Sequence, residues 1–128
     1  MISSRDTDIA KKRTRELFDF LNEGDLDSFL VAYSDTIRFT LPARPQSPTD
    51  VGMASGDGKA ALRGCIETMH RTCAPFRLLD VFGPLASRSV ALEDALGNRL
   101  LMTVETDSAG LTSNVFAMRT RTGLQLAA

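Results

Sequence analysis

The first part of the chain repeats apolar residues with the period of an α-helix. Over residues 5–22 they recur every three to four positions, and charged residues take the opposite face. Gly24 interrupts the pattern, as glycine often does just after a helix. Asp25 is then a predicted N-cap for a short second helix that extends towards Tyr33. A third helix is predicted over Lys59–Cys73, where the apolar stripe resumes.

Alternation with a period of two predicts strands in the rest of the chain. Asp35–Leu41 alternates cleanly, and Pro42 is expected to end this strand. Residues 42–58 are rich in proline and glycine and are predicted to form a loop, either a lid over a site or a disordered segment. Short turns separate the four later runs, which favours antiparallel hairpins. These runs are Phe76–Phe82, Ser89–Leu96, Arg99–Asp107 and Thr112–Thr120. The pattern predicts an α+β fold, with three N-terminal helices packed on one face of a curved, mostly antiparallel sheet.

Composition narrows the classes of protein that fit this pattern. The chain has 128 residues, 43% of them hydrophobic, and a net charge of -1. We therefore expect a single domain over residues 1–128 that binds no nucleic acid. No apolar stretch reaches the roughly 20 residues of a membrane span. Nor does the N-terminus have a secretory h-region, so a cytoplasmic location is expected.

The cysteines and short motifs predict neither a disulfide nor a cofactor. Cys65 and Cys73 lie eight residues apart on one predicted helix, roughly 12 Å along its axis. Because a disulfide needs Cα atoms within about 7 Å, both residues are expected to be buried apolar fillers in a reducing compartment. The sequence contains no metal-ligand cluster and no nucleotide-binding loop, so no metal or cofactor is expected.

Two stretches resemble a known superfamily. Residues 21–29 (LNEGDLDSF) and 33–39 (YSDTIRF) are similar to the opening of NTF2-like proteins, which include the SnoaL-like polyketide cyclases and ketosteroid isomerase. Gly58 opens the third helix as a glycine does in those proteins. The resemblance implies a cone-shaped α+β barrel, usually a homodimer, with an apolar pocket between the helices and the sheet.

The catalytic positions that the resemblance would carry over are not filled. Leu41 stands where ketosteroid isomerase has its general base, and Leu17 stands where it has a phenolic donor. Asn114 is the best match to its protonated acid. The polyketide cyclases use an acid on the last strand, and residues 124–128 contain none. The resemblance therefore implies the pocket without the isomerase mechanism.

Two residues are candidates for acid–base chemistry. Period two places Asp94 on the same face as Val90 and Leu92, where loss of solvation would favour a protonated carboxyl that can transfer protons. Alternatively, Asp94 supports the turn that follows it. His70 is the only histidine and borders the core face of the third helix. It could transfer protons or simply be hydrogen-bonded.

The remaining predicted site residues are those expected to line the pocket. We expect the largest apolar side chains of each late strand to face inward, which also turns Asn114 inward. The opposite, mixed face suits an interface between the sheets of two copies. Tyr33 could place its hydroxyl in the pocket or serve only in packing. The predicted ligand-binding set is Tyr33, Phe39, Leu41, Met102, Asn114, Phe116 and Met118.

Two functions fit this prediction. The first is binding of a small hydrophobic molecule, with acid–base isomerisation, cyclisation, dehydration or hydration by Asp94 and His70. The second is a non-catalytic dimeric interaction module whose cavity is filled by side chains. An open cavity would favour the first function and a collapsed one the second.

Overall fold

The computed structural model describes residues 4–47 and 50–121. It contains the three helices and five strands predicted from the sequence, in the predicted order, and one further strand between the first strand and the third helix. The helices are α1 (Ser4–Glu23), α2 (Leu26–Leu30) and α3 (Lys59–Cys73). The strands are β1 (Tyr33–Ser47), β2 (Asp50–Asp57), β3 (Arg77–Phe82), β4 (Ser87–Glu93), β5 (Arg99–Thr106) and β6 (Thr112–Arg121). None of the helices described is long and apolar enough to cross a membrane.

Local signals in the sequence explain the helix boundaries. Gly24 adopts a φ of 80°, which an L side chain rarely does, and this ends α1. The Asp25 carboxylate accepts a hydrogen bond of 3.2 Å from the backbone N–H of Ser28, which caps α2. The predicted boundaries of α3 are confirmed. Tyr33 begins β1 instead of ending α2.

The six strands form one sheet in the order β2-β1-β6-β5-β4-β3. Neighbouring strands are antiparallel except β1 and β6, which run parallel. The predicted α+β fold, with helices on a mostly antiparallel sheet, is confirmed. Within the described residues the sheet is open, and β2 and β3 are its edges.

The prediction of a loop over residues 42–58 was wrong. The structure extends β1 to Ser47 and forms β2 from Asp50 to Asp57, so most of this segment is a hairpin. Residues 48 and 49 lie outside the described residues, as do 122–128, which include the C-terminal residues considered above. Pro42 falls where the β1–β2 register shifts between Leu41 and Arg44. A proline costs no ladder hydrogen bond at such an interruption, so it does not end the strand.

One face of the sheet, here called the inner face, is buried beneath the helices. On β4 and β5 the buried residues are those that were predicted to face inward. Val90 pairs with Met102 and Leu92 pairs with Leu100, so all four lie on this face. On β6, however, Val115 and Ala117 are the buried residues. The opposite side of the sheet, here called the outer face, carries Phe116 and Met118.

The expected orientation of Asn114, Phe116 and Met118 was therefore wrong. Asn114 is exposed, and Phe116 and Met118 are each 48% exposed on the outer face. Both faces of β6 carry apolar residues, so alternation alone does not orient the strand. The register pairs Ala117 with the larger Met102, and the inner face thus takes the smaller residues of β6.

Candidate functional site

The interior between the helices and the inner face contains a small cavity. Its volume is about 20 Å³, which is room for roughly one water molecule. Sites for small ligands usually measure about 300–1,000 Å³, so side chains nearly fill this one. Its lining is apolar except for one hydroxyl, and consists of Phe18, Leu21, Phe29, Tyr33, Leu41, Leu62, Ile66, Met69, Leu92, Met102 and Val115.

Three predicted ligand-binding residues meet at this cavity. Tyr33, Leu41 and Met102 all belong to its lining and are buried. Phe39 is buried on the same inner face but lies outside the lining. Its ring packs over Gly56, where an added Cβ would lie 2.9 Å from Cζ. The structure therefore brings together only part of the predicted set.

Tyr33 supplies the polar group of the cavity. It begins β1, and its ring lies 5.1 Å from the ring of Phe29 between centroids. Burial raises the pKa of its phenol well above the ordinary value, although the positive charge of Arg88 partly opposes this. The hydroxyl is therefore protonated at neutral pH and can donate a hydrogen bond.

Arg88 lies on the inner face and was missed by the sequence prediction. The residue is only 5% exposed. Its Nε donates to Thr14 Oγ1 of α1 at 3.0 Å, and its Nη1 donates to the carbonyl of Leu85 at 2.8 Å. A signal existed, because extending the alternation of Val90 and Leu92 back by one step places Arg88 on their face.

The surroundings of Arg88 do not favour its positive charge. Burial lowers the pKa of its guanidinium. The negative charge that Tyr33 would carry if ionised raises it, and the positive charge of Arg13 lowers it. The ion pairs found among the described residues all join other side chains. Within that part of the chain, Arg88 thus has hydrogen-bond partners but no carboxylate partner.

Asp94 is buried, as predicted, but its carboxylate faces the turn between β4 and β5. Its Oδ1 accepts hydrogen bonds from the backbone N–H groups of Leu96 and Asn98, both at 2.9 Å. Its Oδ2 accepts from Asn98 Nδ2 at 3.0 Å. These contacts match the alternative in which Asp94 supports the turn, and Asp94 is absent from the cavity lining. Its predicted catalytic role stays a prediction.

His70 and Cys73 lie on the same helix and also outside the cavity lining. The imidazole of His70 packs against the backbone at Gly24, where an added Cβ would lie 3.5 Å from Cε1. The catalytic role of His70 likewise stays a prediction. Cys73 is buried, Cys65 is partly buried, and both are free thiols. Burial raises the pKa of Cys73, a hydrogen bond with Thr72 lowers it, and the nearby Asp94 carboxylate raises it further.

Comparison with known proteins places the fold among solved structures. No protein-family model and no curated protein matches the sequence. A SnoaL-like protein of unknown function from Burkholderia thailandensis superposes with a TM-score of 0.66 at 20% identity, over 88% of this chain and 94% of that one. The chain described here therefore has the same SnoaL-like fold as the Burkholderia protein. At this level of identity the likeness extends to the fold alone.

Two further structures share the SnoaL-like fold. SalBIII, an epoxide hydrolase/cyclase-like enzyme with a role in pyran ring formation in salinomycin, has a TM-score of 0.64 at 15% identity, over 89% of this chain and 92% of SalBIII. A computationally designed 17-OHP binder has a TM-score of 0.60 at 15% identity, over 82% of this chain and 88% of the binder. The NTF2-like fold that the sequence resemblance implied is confirmed. Among the described residues, no group of three or more His, Cys, Asp or Glu side chains could hold a metal ion.

Proposed function

We propose that this protein binds a small, mostly apolar molecule in the interior between its helices and the inner face of its sheet. The observation that carries the proposal is the interior cavity, whose lining residues are apolar apart from the buried Tyr33. Small-molecule sites are usually lined by apolar side chains with a small number of polar groups, so the composition of this lining fits such a site although its volume does not. The 17-OHP binder is a precedent for ligand binding within this fold.

Binding without turnover fits the contacts better than acid–base catalysis does. The carboxylate of Asp94 is engaged by donors in its own turn, and His70 packs against Gly24. Neither residue lines the cavity. Catalysis on a hydrophobic substrate would require these groups to reach the ligand after the interior opens.

The small volume of the cavity also supports the second function predicted from the sequence, a non-catalytic interaction module. A volume of about 20 Å³ admits no drug-sized molecule until side chains move. Under the first proposal the free protein is the closed form, and ligand binding shifts it to an open one. Under the second proposal no open form is used.

A ligand panel read by thermal shift tests the binding proposal. Steroids, polycyclic polyketide analogues, terpenoid epoxides and fatty acids form the panel, and a ligand at a hundredfold its Kd stabilises the native state by about 2.7 kcal/mol.

Val115→Ile adds a methylene group to the cavity and should weaken binding. Val104→Ile is the matched control, because Val104 is the cross-strand partner of Val115 but does not line the cavity. Equal ligand affinities of the two variants would indicate that the ligand binds outside this cavity. A panel in which no compound shifts the melting temperature would favour the interaction module.

We further propose that two copies associate through the outer faces of their sheets. Phe82 and Phe116 stand at the two ends of one cross-strand row, joined through Ser89 and Thr103. Both rings are about half exposed, as is Met118 in the adjacent row. Exposed large apolar side chains on one sheet face, such as the neighbouring Phe116 and Met118, commonly mark an interface.

Sedimentation equilibrium tests the dimer with one charged substitution on the outer face. Phe116→Lys should convert a dimer into a monomer, because it would bury an unpaired charge in the proposed interface. Val31→Lys is the control, since Val31 is a 70% exposed apolar residue that follows α2 and belongs to no strand of the sheet. A wild-type protein that is monomeric at all concentrations would contradict the proposal.

A further inference from the structure

Arg88 is a buried charged group for which the part of the chain that the structure describes supplies no ion-pair partner. It projects from the inner face of β4 and is 5% exposed. Its partners, the Thr14 hydroxyl and the Leu85 carbonyl, are neutral acceptors. Buried charges in proteins are normally paired with an opposite charge, because neutral partners recover only part of the lost solvation. The nearby Arg13 makes this deficit larger.

The groups around Arg88 suit a carboxylate. A guanidinium presents a planar set of N–H donors that matches the two oxygens of a carboxylate. Tyr33 interacts electrostatically with Arg88, and its buried phenol remains a neutral donor. The same Tyr33 lines the apolar cavity. Tyr33 therefore lines the apolar interior and also lies within electrostatic range of the buried Arg88.

A surface groove is lined by residues next to Thr14 and Tyr33 in the sequence. The groove of about 520 Å³ lies between α1, the segment after α2 and the β5–β6 turn. Arg13 and Ala32 line it, and they are the direct neighbours in sequence of Thr14 and Tyr33. Glu16 also lines the groove.

We propose that the interior ligand is an apolar carboxylic acid whose carboxylate pairs with Arg88 and whose hydrocarbon part enters the cavity lined by Tyr33. The inference rests on the proposed binding function and assigns a chemical class to its ligand. A carboxylate at Arg88 would supply the missing negative charge. It would also receive charge-assisted hydrogen bonds, which are stronger than those between neutral groups.

The test compares octanoate with octanamide, which share a chain length but differ in charge. Isothermal titration at neutral pH and fixed salt should give an affinity for octanoate at least about tenfold higher. In Arg88→Met this preference should disappear while octanamide binding is retained. Arg99→Met is the control, because Arg99 is an exposed arginine paired with Glu93 and should leave the preference intact.

Arg88→Met should fold, because the partners of Arg88 keep other hydrogen bonds. The Leu85 carbonyl still accepts from Thr106 Oγ1 at 3.1 Å, and a threonine hydroxyl inside a helix can bond to its own backbone. If this variant nevertheless unfolds, the affinities of the wild-type protein for octanoate and octanamide still test the inference. Equal affinities for octanoate and octanamide would overturn the inference and leave the binding function standing. Failure to bind either compound would overturn the inference and count against interior binding as well.

Discussion

Asp94 and Asn98 clamp the β4–β5 turn through both oxygens of one carboxylate. Oδ1 accepts from the Asn98 backbone N–H and Oδ2 from its side-chain Nδ2. Asp94 N in turn donates to the carbonyl of Asn98 at 3.0 Å. Both residues are buried. A carboxyl group that the sequence pattern predicts to be buried can therefore serve to hold a turn, and its burial alone does not identify a catalytic acid.

Asp94→Asn should destabilise the protein although it keeps the side-chain shape. It replaces one acceptor oxygen with an N–H₂ group that would face Asn98 Nδ2, and the expected loss is about 1–3 kcal/mol. Asp107→Asn is the control, because only Oδ1 of Asp107 accepts in its turn and an amide oxygen can replace it. Urea unfolding would measure both. Equal, small losses would contradict the clamp.

We expect Asn22→Ala to lower the free energy of unfolding more than most substitutions of partly exposed residues do. Asn22 Nδ2 donates to the Phe76 carbonyl at 2.8 Å, and Asn22 Oδ1 accepts from the Phe76 N–H at 2.7 Å. The substitution leaves both backbone groups without these partners, at an expected cost of about 2–3 kcal/mol. Asn114→Ala, at an exposed position, should cost less than about 0.5 kcal/mol by the same urea measurement. A cost for Asn22→Ala as small as that would refute this account.

The Val115→Ile and Val104→Ile variants should differ in stability even without ligand. Filling a void of about 20 Å³ is worth on the order of 0.5 kcal/mol. Val115→Ile should therefore be neutral or slightly stabilising. Val104 faces no such void, so its added methylene group should cost about 1–3 kcal/mol through overpacking. Thermal unfolding that shows equal losses for both variants would contradict the void beside Val115.

Stability should fall at alkaline pH because of Cys73 and Tyr33. Burial raises both pKa values in the folded state, from ordinary values of 9.0 and 10.0. The unfolded chain therefore loses these protons first, so it is increasingly favoured above about pH 9. Below that pH the contribution of both groups is fully present. The free energy of unfolding, measured from pH 7 to 11, should decline less in Cys73→Ala and in Tyr33→Phe. A wild-type curve as flat as those of the variants would contradict the prediction.

Local signals made most of the fold predictable. Gly24, Asp25 and Gly58 mark helix boundaries through their own backbone and side-chain chemistry, and those boundaries were predicted to within a few residues. The orientation of β6 was not predictable in this way, because Val115 and Phe116 are both apolar. Only its pairing with β1 and β5 decides which of them faces the helices.

The candidate site was less predictable than the fold, since it depends on contacts between distant segments. Arg88 reaches Thr14 across 74 residues of sequence. The alternation of residues along β4 predicts which face of the sheet Arg88 lies on, but it does not predict the residue to which Arg88 donates a hydrogen bond. Asp94 shows the converse, because its face was predicted correctly while its hydrogen bonds lie within the next four residues.

The parallel pairing of β1 with β6 has a consequence for how the chain folds during synthesis. It alone joins the β2-β1 hairpin to the β5-β4-β3 meander, so the two halves of the sheet share no backbone hydrogen bonds until β6 is available. A ribosome releases β6 last among the described strands. The inner face can therefore close over its helices only after β6 has emerged. A nascent chain lacking β6 would present the unprotected edges of β1 and β5 to chaperones, in addition to the edges β2 and β3.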